Sequence, residues 1–184
     1  RKGDWVIIEL GHNDNGPYDS GRARASIPGI GKDSLNVTIK ETGAKETVYT
    51  DGVYLFLNVK NTTDFSKKQQ LVTRYLDRQC EAIFGEVLDQ AYPSFQKYGV
   101  AKPQLRIRSM DTRWGSCLPK KLIITLNKQL LEAPRNCIEY VVVHELCHLV
   151  HPNHSKQFYT FLTMFMPDWK ERKTELEKNC ILWL

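Results

Sequence analysis

The chain has 184 residues, 41% hydrophobic and 26% charged, with a formal net charge of +5. That size and balance suit one soluble globular domain, or one with an appendage. No apolar run approaches the roughly 20 residues of a membrane span and no signal peptide is visible, which excludes a helical membrane protein.

In chain order, residues 4–10 read as a buried strand closed by Gly11. Residues 11–31 are rich in Gly, Asn, Asp and Pro, which is loop chemistry. A short strand is expected over 45–49 and a firmer one over 53–59. Thr63 or Asp64 can cap a long helix that runs to about Ala91 and is stopped by Pro93. Residues 104–108 alternate apolar and basic, the pattern of a half-buried strand, and 122–126 form another. Between them Trp114-Gly115 reads as a tight turn with an aromatic plug. A helical turn over 128–132 leads through Pro134 into a helix whose stretch 138–143 is almost wholly apolar, and therefore buried. Ser155 caps a further helix up to Met166, and a charged helix follows from Asp168 to about Leu184. The five cysteines (80, 117, 137, 147 and 180) show no tight pair spacing, which points to reduced thiols and a cytoplasmic setting.

The chemistry concentrates at the end of the apolar helix, where His144, Glu145 and His148 spell H-E-x-x-H. Residues four apart on a helix share a face, about 6 Å apart along the axis, so two imidazoles can hold one metal ion. Glu145 is turned about 100° from His144, where it can take the proton of a water activated by the ion. A lone histidine on an apolar helix is usually a satisfied core residue. Two histidines and a glutamate together in a buried helix are costly without a partner, and a metal is the natural one. Histidine ligands suit zinc best, one ion per chain. For the third ligand His151 and His154 compete. Pro152 ends the helix at or before His151, and a reversal through Pro152-Asn153 favours His154. Glu171 and Glu175 are more distant candidates, and His151 then falls on the rim of the site.

Two resemblances attach to these residues. The phrase from Gly3 to Asp14, with its continuation to Arg22, resembles the G-x-N-D block of SGNH esterases of the rhamnogalacturonan acetylesterase kind. In that family the residue matching Asn13 helps stabilise an oxyanion. No G-D-S nucleophile block and no D-x-x-H pair accompany it, so residues 1–51 are read as a non-catalytic N-terminal extension. The second resemblance covers residues 52–184. Arg113-Trp-Gly-Ser116, Ile124-Thr-Leu-Asn127, the H-E-x-x-H run and Asn153-His-Ser155 together resemble the YgjP-like metallopeptidases, relatives of the SprT-like and WLM peptidases. The resemblance implies an α+β, zincin-like domain with a small sheet packed on the H-E-x-x-H helix. It implies zinc ligands at His144, His148 and His154 and a catalytic residue at Glu145. Arg113, Trp114 and Ser116 would line the site, and Arg113 could bind a developing oxyanion.

Residues 1–51 hold 7 basic and 8 acidic side chains, leaving 19 and 13 for the remainder, so the basic charge belongs to the zincin-like part. Arg106, Arg108, Arg113, Lys120 and Lys121 lie on the elements leading to the metal helix. Such a cluster is either a solvated face or an attraction for anions: nucleotide phosphates, or DNA as for SprT-like repair proteases. Three functions follow. The first is a zinc-dependent peptidase acting on peptide bonds. The second is a metal-dependent nucleoside triphosphate (UTP) pyrophosphatase, an activity linked to one member of the family. The third is a non-catalytic, zinc-stabilised binding module, against which the intact Glu145 weighs. No membrane partner is expected.

Overall fold

The computed structural model describes residues 18–23, 35–41, 46–50, 54–59 and 65–179. The strand expected over 4–10, the esterase-like Asn13, the helix cap at Thr63 or Asp64 and everything beyond 179 lie outside the described residues. The chain divides into two compact units, Arg1–Arg78 and Gln79–Leu184.

In the first unit β1 (Tyr18–Ala23), β2 (Leu35–Glu41), β3 (Thr47–Thr50) and β4 (Tyr54–Val59) form a sheet in the order β1-β2-β4-β3. β4 runs parallel to β2 and antiparallel to β3. It alternates as its sequence requires, with Leu55, Leu57 and Val59 buried and Phe56 and Asn58 half-buried. Cross-strand pairs fix its register against β3. Tyr49 stacks on Phe56 at 4.9 Å, and Asn58 Nδ2 donates to Thr47 Oγ1 at 2.9 Å. The long helix α1 (Phe65–Ala91) carries the unit boundary, and Val72, Leu76, Cys80, Phe84, Val87 and Leu88 are its buried stripe.

In the second unit a short helix, α2 (Pro93–Gln96), is followed by Gly99 at φ 74°, a left-handed turn that glycine adopts without strain. A three-stranded sheet follows, built from β5 (Gln104–Arg108), β6 (Gly115–Leu118) and β7 (Ile123–Asn127) in the order β5-β7-β6. Central β7 is buried at every residue, whereas β5 exposes Gln104, Arg106 and Arg108 and half-buries Leu105 and Ile107. A 3₁₀ turn (Lys128–Glu132) leads into α3 (Arg135–Cys147), then α4 (Lys156–Phe165) and α5 (Trp169–Asn179).

Helix α3 packs against β6, β7, α4 and α5. Its three consecutive valines, 141–143, are poor helix formers, each costing up to about 0.7 kcal/mol relative to alanine. They are all buried, and burying a valine side chain returns about 1.5–3 kcal/mol. Packing therefore dictates this helix. Arg172 on α5 ties it down, donating to Glu139 at 2.7 Å and to the Asn136 carbonyl at 3.2 Å. The fold is α+β, with the three-stranded sheet packed on the H-E-x-x-H helix through β6 and β7.

Two local readings are corrected. The loop chemistry of 11–31 contains β1, drawn into a strand by pairing with β2. Trp114 does lie in the bend, but Gly115 is already in β6, paired with Leu126. Gly115 has no positive φ, so its reason is space and not turn conformation.

Candidate metal centre

Helix α3 ends at Cys147, with His148 as its C-cap, and two i to i−3 bonds and one i to i−4 bond turn the chain over 149–151. Leu149 N donates to Leu146 O at 3.1 Å and Val150 N to Cys147 O at 3.1 Å. The reversal before α4 then brings His154 back over the last turn of α3. His154 Nε2 lies 2.9 Å from His144 Nε2. Two ring nitrogens that close repel unless a proton or a cation sits between them. One nitrogen each from His144, His148 and His154 fall within 4.8 Å of one another, a cluster able to hold a metal ion.

The orientation of His148 is set by the turn. Its Nδ1 lies 3.2 Å from the carbonyl oxygen of His151, which can only accept, so Nδ1 carries the proton and Nε2 keeps the lone pair. His151 thus serves through its backbone, while its ring packs edge-on against Phe161 at 5.0 Å. Its side chain is not in the three-histidine cluster. Burial pushes the His144 pKa down to about 3, helped by the neighbouring His148 and His154, and burial also lowers that of His148. Neutral imidazoles are the ligating form.

Glu145 is 5% exposed, and its Oε2 has no hydrogen-bond partner. Burial pushes its pKa up to about 8 against the opposing pull of the Arg113 cation. The sheet makes room for it at Gly115. A Cβ there would stand 2.7 Å from Glu145 Oε1 and 2.9 Å from both Glu145 Cγ and Val141 Cγ1. The glycine of the Arg-Trp-Gly-Ser run is therefore a flat seat for the carboxylate. Arg113 is exposed beside it, Trp114 and Ser116 are half-buried, and Ser116 pairs with Thr125 in the sheet. The thiols of Cys117 and Cys147 are pushed up to about 12, by burial first and by Glu145 second, and stay neutral.

The sequence placed Asn127 in the family-like run 124–127 but gave it no role in this assembly. Fully buried at the end of β7, its Nδ2 donates to the carbonyls of Met110 at 2.7 Å and Arg113 at 3.0 Å. Its Oδ1 accepts from Gln129 N at 3.2 Å, and its own N–H donates to Trp114 O at 2.9 Å. One side chain thus fastens the bend that carries Arg113 and Trp114. The available signal was a polar residue closing an apolar strand.

The residues present fit a catalytic metal. Three imidazoles converge, and a buried carboxylate oxygen with no partner lies on the residue after the first of them. Such a donor set suits a metal-dependent hydrolase. A family model for the YgjP-like metallopeptidase domain matches residues 2–179, and the chain belongs to that family. The match takes in residues 2–51 as well as the part expected from the sequence. Among solved structures, the metallopeptidase zymogen jannalysin of Methanocaldococcus jannaschii aligns with a TM-score of 0.46 at 19% identity, over 53% of this chain and 97% of that one. The zymogen abylysin of Pyrococcus abyssi aligns with a TM-score of 0.45 at 24% identity, over 53% and 99% respectively. No curated protein matches the chain. Among the described residues no helix is long and apolar enough to cross a membrane.

Proposed function

We propose that the protein is a zinc-dependent peptidase in which His144, His148 and His154 hold the ion and Glu145 is the general base. The observation that carries this reading is the convergence of three imidazole nitrogens next to a buried carboxylate with an unpartnered oxygen. Zinc bound there supplies Lewis acidity toward a water and a carbonyl oxygen. Glu145 takes the proton of the attacking water and hands it to the leaving amine, a shuttle worth about 10²–10⁴-fold. A carboxyl group raised toward neutral pH by burial suits both halves of that shuttle. Arg113 holds Glu145 toward its ionised form and presents a guanidinium for the developing oxyanion. Asn127 keeps Arg113 and Trp114 in place from behind.

A peptide substrate suits the strand side of the site. Among the described residues β6 is an edge strand, paired with β7 alone, and it begins at the residue that seats Glu145. An extended peptide can add to such an edge through its main chain, with Ser116 and Trp114 alongside. The nucleotide and DNA readings rest on Arg106, Arg108, Arg113, Lys120 and Lys121. Arg106 and Arg108 lie on β5, the opposite edge of the sheet, and among these cations Arg113 is the one that lowers the Glu145 pKa. That distribution favours the peptide. Residues 113–154 hold every member of the site, so we assign the hydrolase to residues 52–184. Residues 1–51 we read as a non-catalytic extension that adds β1, β2 and β3 to the sheet of β4. No disulfide joins the described cysteines, in keeping with a reducing compartment.

Zinc content of the purified protein beside His154→Ala tests the centre. About one zinc per chain, sharply reduced in the variant, is the expected result. Undiminished zinc in the variant would move the third ligand elsewhere.

A further inference from the structure

His154 differs from its two partners. His144 and His148 are set by the helix, but His154 sits on the short connection before α4 and is exposed. A side chain in that setting ordinarily samples several rotamers, and ordering it opposes ligation. Yet its ring is placed within 2.9 Å of His144.

What surrounds the ring is a row of aromatic planes. His154 lies nearly parallel to Tyr159 at 6.0 Å and 21°, and Tyr159 lies nearly parallel to Trp169 at 5.2 Å and 20°. Phe158 meets His154 edge-on at 4.8 Å. The far end of the row is anchored by a single hydroxyl. Thr163 Oγ1 accepts from Trp169 Nε1 at 2.9 Å and donates to the carbonyl of Tyr159 at 2.7 Å. The indole is thereby locked to the turn of α4 that bears Tyr159. Such a row is not needed to bury apolar surface, because Tyr159 remains 38% exposed.

We infer that Tyr159 and Trp169 form a strut that positions His154 for the metal, making them positioning residues that set the affinity of the centre. The inference rests on the reading of His154 as the third ligand. Partners that orient a metal-ligating histidine typically contribute about 10–100-fold to metal affinity, and the strut should fall in that range. Its parts differ in reach: Tyr159 stacks alongside the ligand ring, whereas Trp169 acts through Tyr159.

The test is zinc affinity, measured by competition with a chromophoric chelator, on the full chain and on Tyr159→Ala, Tyr159→Phe, His154→Ala and Tyr159→Ala/His154→Ala. Thermal unfolding of the metal-free proteins shows whether each variant folds. The strut predicts that Tyr159→Ala loses about 10–100-fold in affinity, that Tyr159→Phe restores it, and that the double variant binds no more weakly than His154→Ala. Tyr159→Ala with wild-type affinity, while His154→Ala is weakened, overturns the strut and leaves the ligand assignment standing. A double variant weaker than His154→Ala also overturns it, because Tyr159 would then act on something other than His154. Wild-type affinity in His154→Ala overturns the ligand assignment, and the strut with it. Should Tyr159→Ala fail to fold, wild-type affinity in Tyr159→Leu, which keeps apolar bulk without a plane, overturns the strut as well.

Discussion

The site has two sides built on different physics. On the helix side, His144, His148 and His154 turn their ring nitrogens toward a common point, and the last of them is exposed. On the strand side, Gly115 seats a Glu145 that is 5% exposed, Arg113 acts on it as a cation, and Asn127 fastens the bend that carries Arg113. The first arrangement gathers lone pairs for a cation. The second withdraws solvent from a base and raises its pKa. Metal affinity and turnover should therefore respond to different substitutions, and experiments can drive the two apart.

The largest separation is expected from Glu145→Gln. Turnover on a peptide substrate should fall by about 10²–10⁴-fold, while zinc content stays near that of the parent. Unchanged turnover would remove the general-base role. The same variant has a signature in the metal-free protein. Folding raises the Glu145 pKa from 4.5 to about 8, so the folded state binds this proton more tightly than the unfolded chain does. Its contribution is fully present below pH 4.5 and is lost as the pH rises through about 8. Metal-free Glu145→Gln should accordingly melt above the parent at pH 8, with the gap closing toward pH 4.5. His144 pulls the other way. Its folded pKa of about 3 means that stability is present above pH 6.5 and declines as the pH falls toward 3.

Gly115→Ala comes next. The new methyl would overlap the Glu145 carboxylate, and a misplacement near 1 Å costs about 10²-fold in rate. Overpacking of this kind also destabilises by about 1–3 kcal/mol. A normal zinc affinity beside that loss would separate the two sides cleanly; a lost metal would show that they are one unit. Arg113→Ala is expected to have the smallest effect. Its guanidinium is exposed and screened by solvent, unlike a buried oxyanion donor, so kcat/KM should fall only a few-fold. Because the arginine lowers the Glu145 pKa, the acid limb of the pH–rate profile should move to higher pH. An unmoved limb would detach Arg113 from Glu145. A large rise in KM for nucleoside triphosphates but not for peptides would revive the nucleotide reading.

The helix side was legible in the sequence because its geometry is local. Spacing along one helix fixes His144 against His148, Pro152 announces the reversal, and Ser155 marks the start of α4, where it accepts from Phe158 N. The strand side was not. Gly115-Ser-Cys-Leu118 lacks the alternation of a strand and becomes one by pairing with β7, a tertiary effect that no local pattern encodes. The role of Gly115 depends on a residue thirty positions away, and the reach of Asn127 depends on the bend at 110–114. Of the first unit, the strand of β4 and the short β3 were readable. The cross-chain order β1-β2-β4-β3 was not, since a parallel pair between β2 and β4 follows from no feature of either strand alone.

The proposed ligands occupy only residues 144–154. Closing so short a loop costs little chain entropy, whereas seating Glu145 on Gly115 must wait for the sheet. During folding, the α3–α4 hairpin can therefore capture an ion before the base has its surroundings. Because metal binding supplies folding free energy, the ion would then act as a nucleus around which the catalytic half of the site assembles. Refolding in the presence of zinc should be faster than without it.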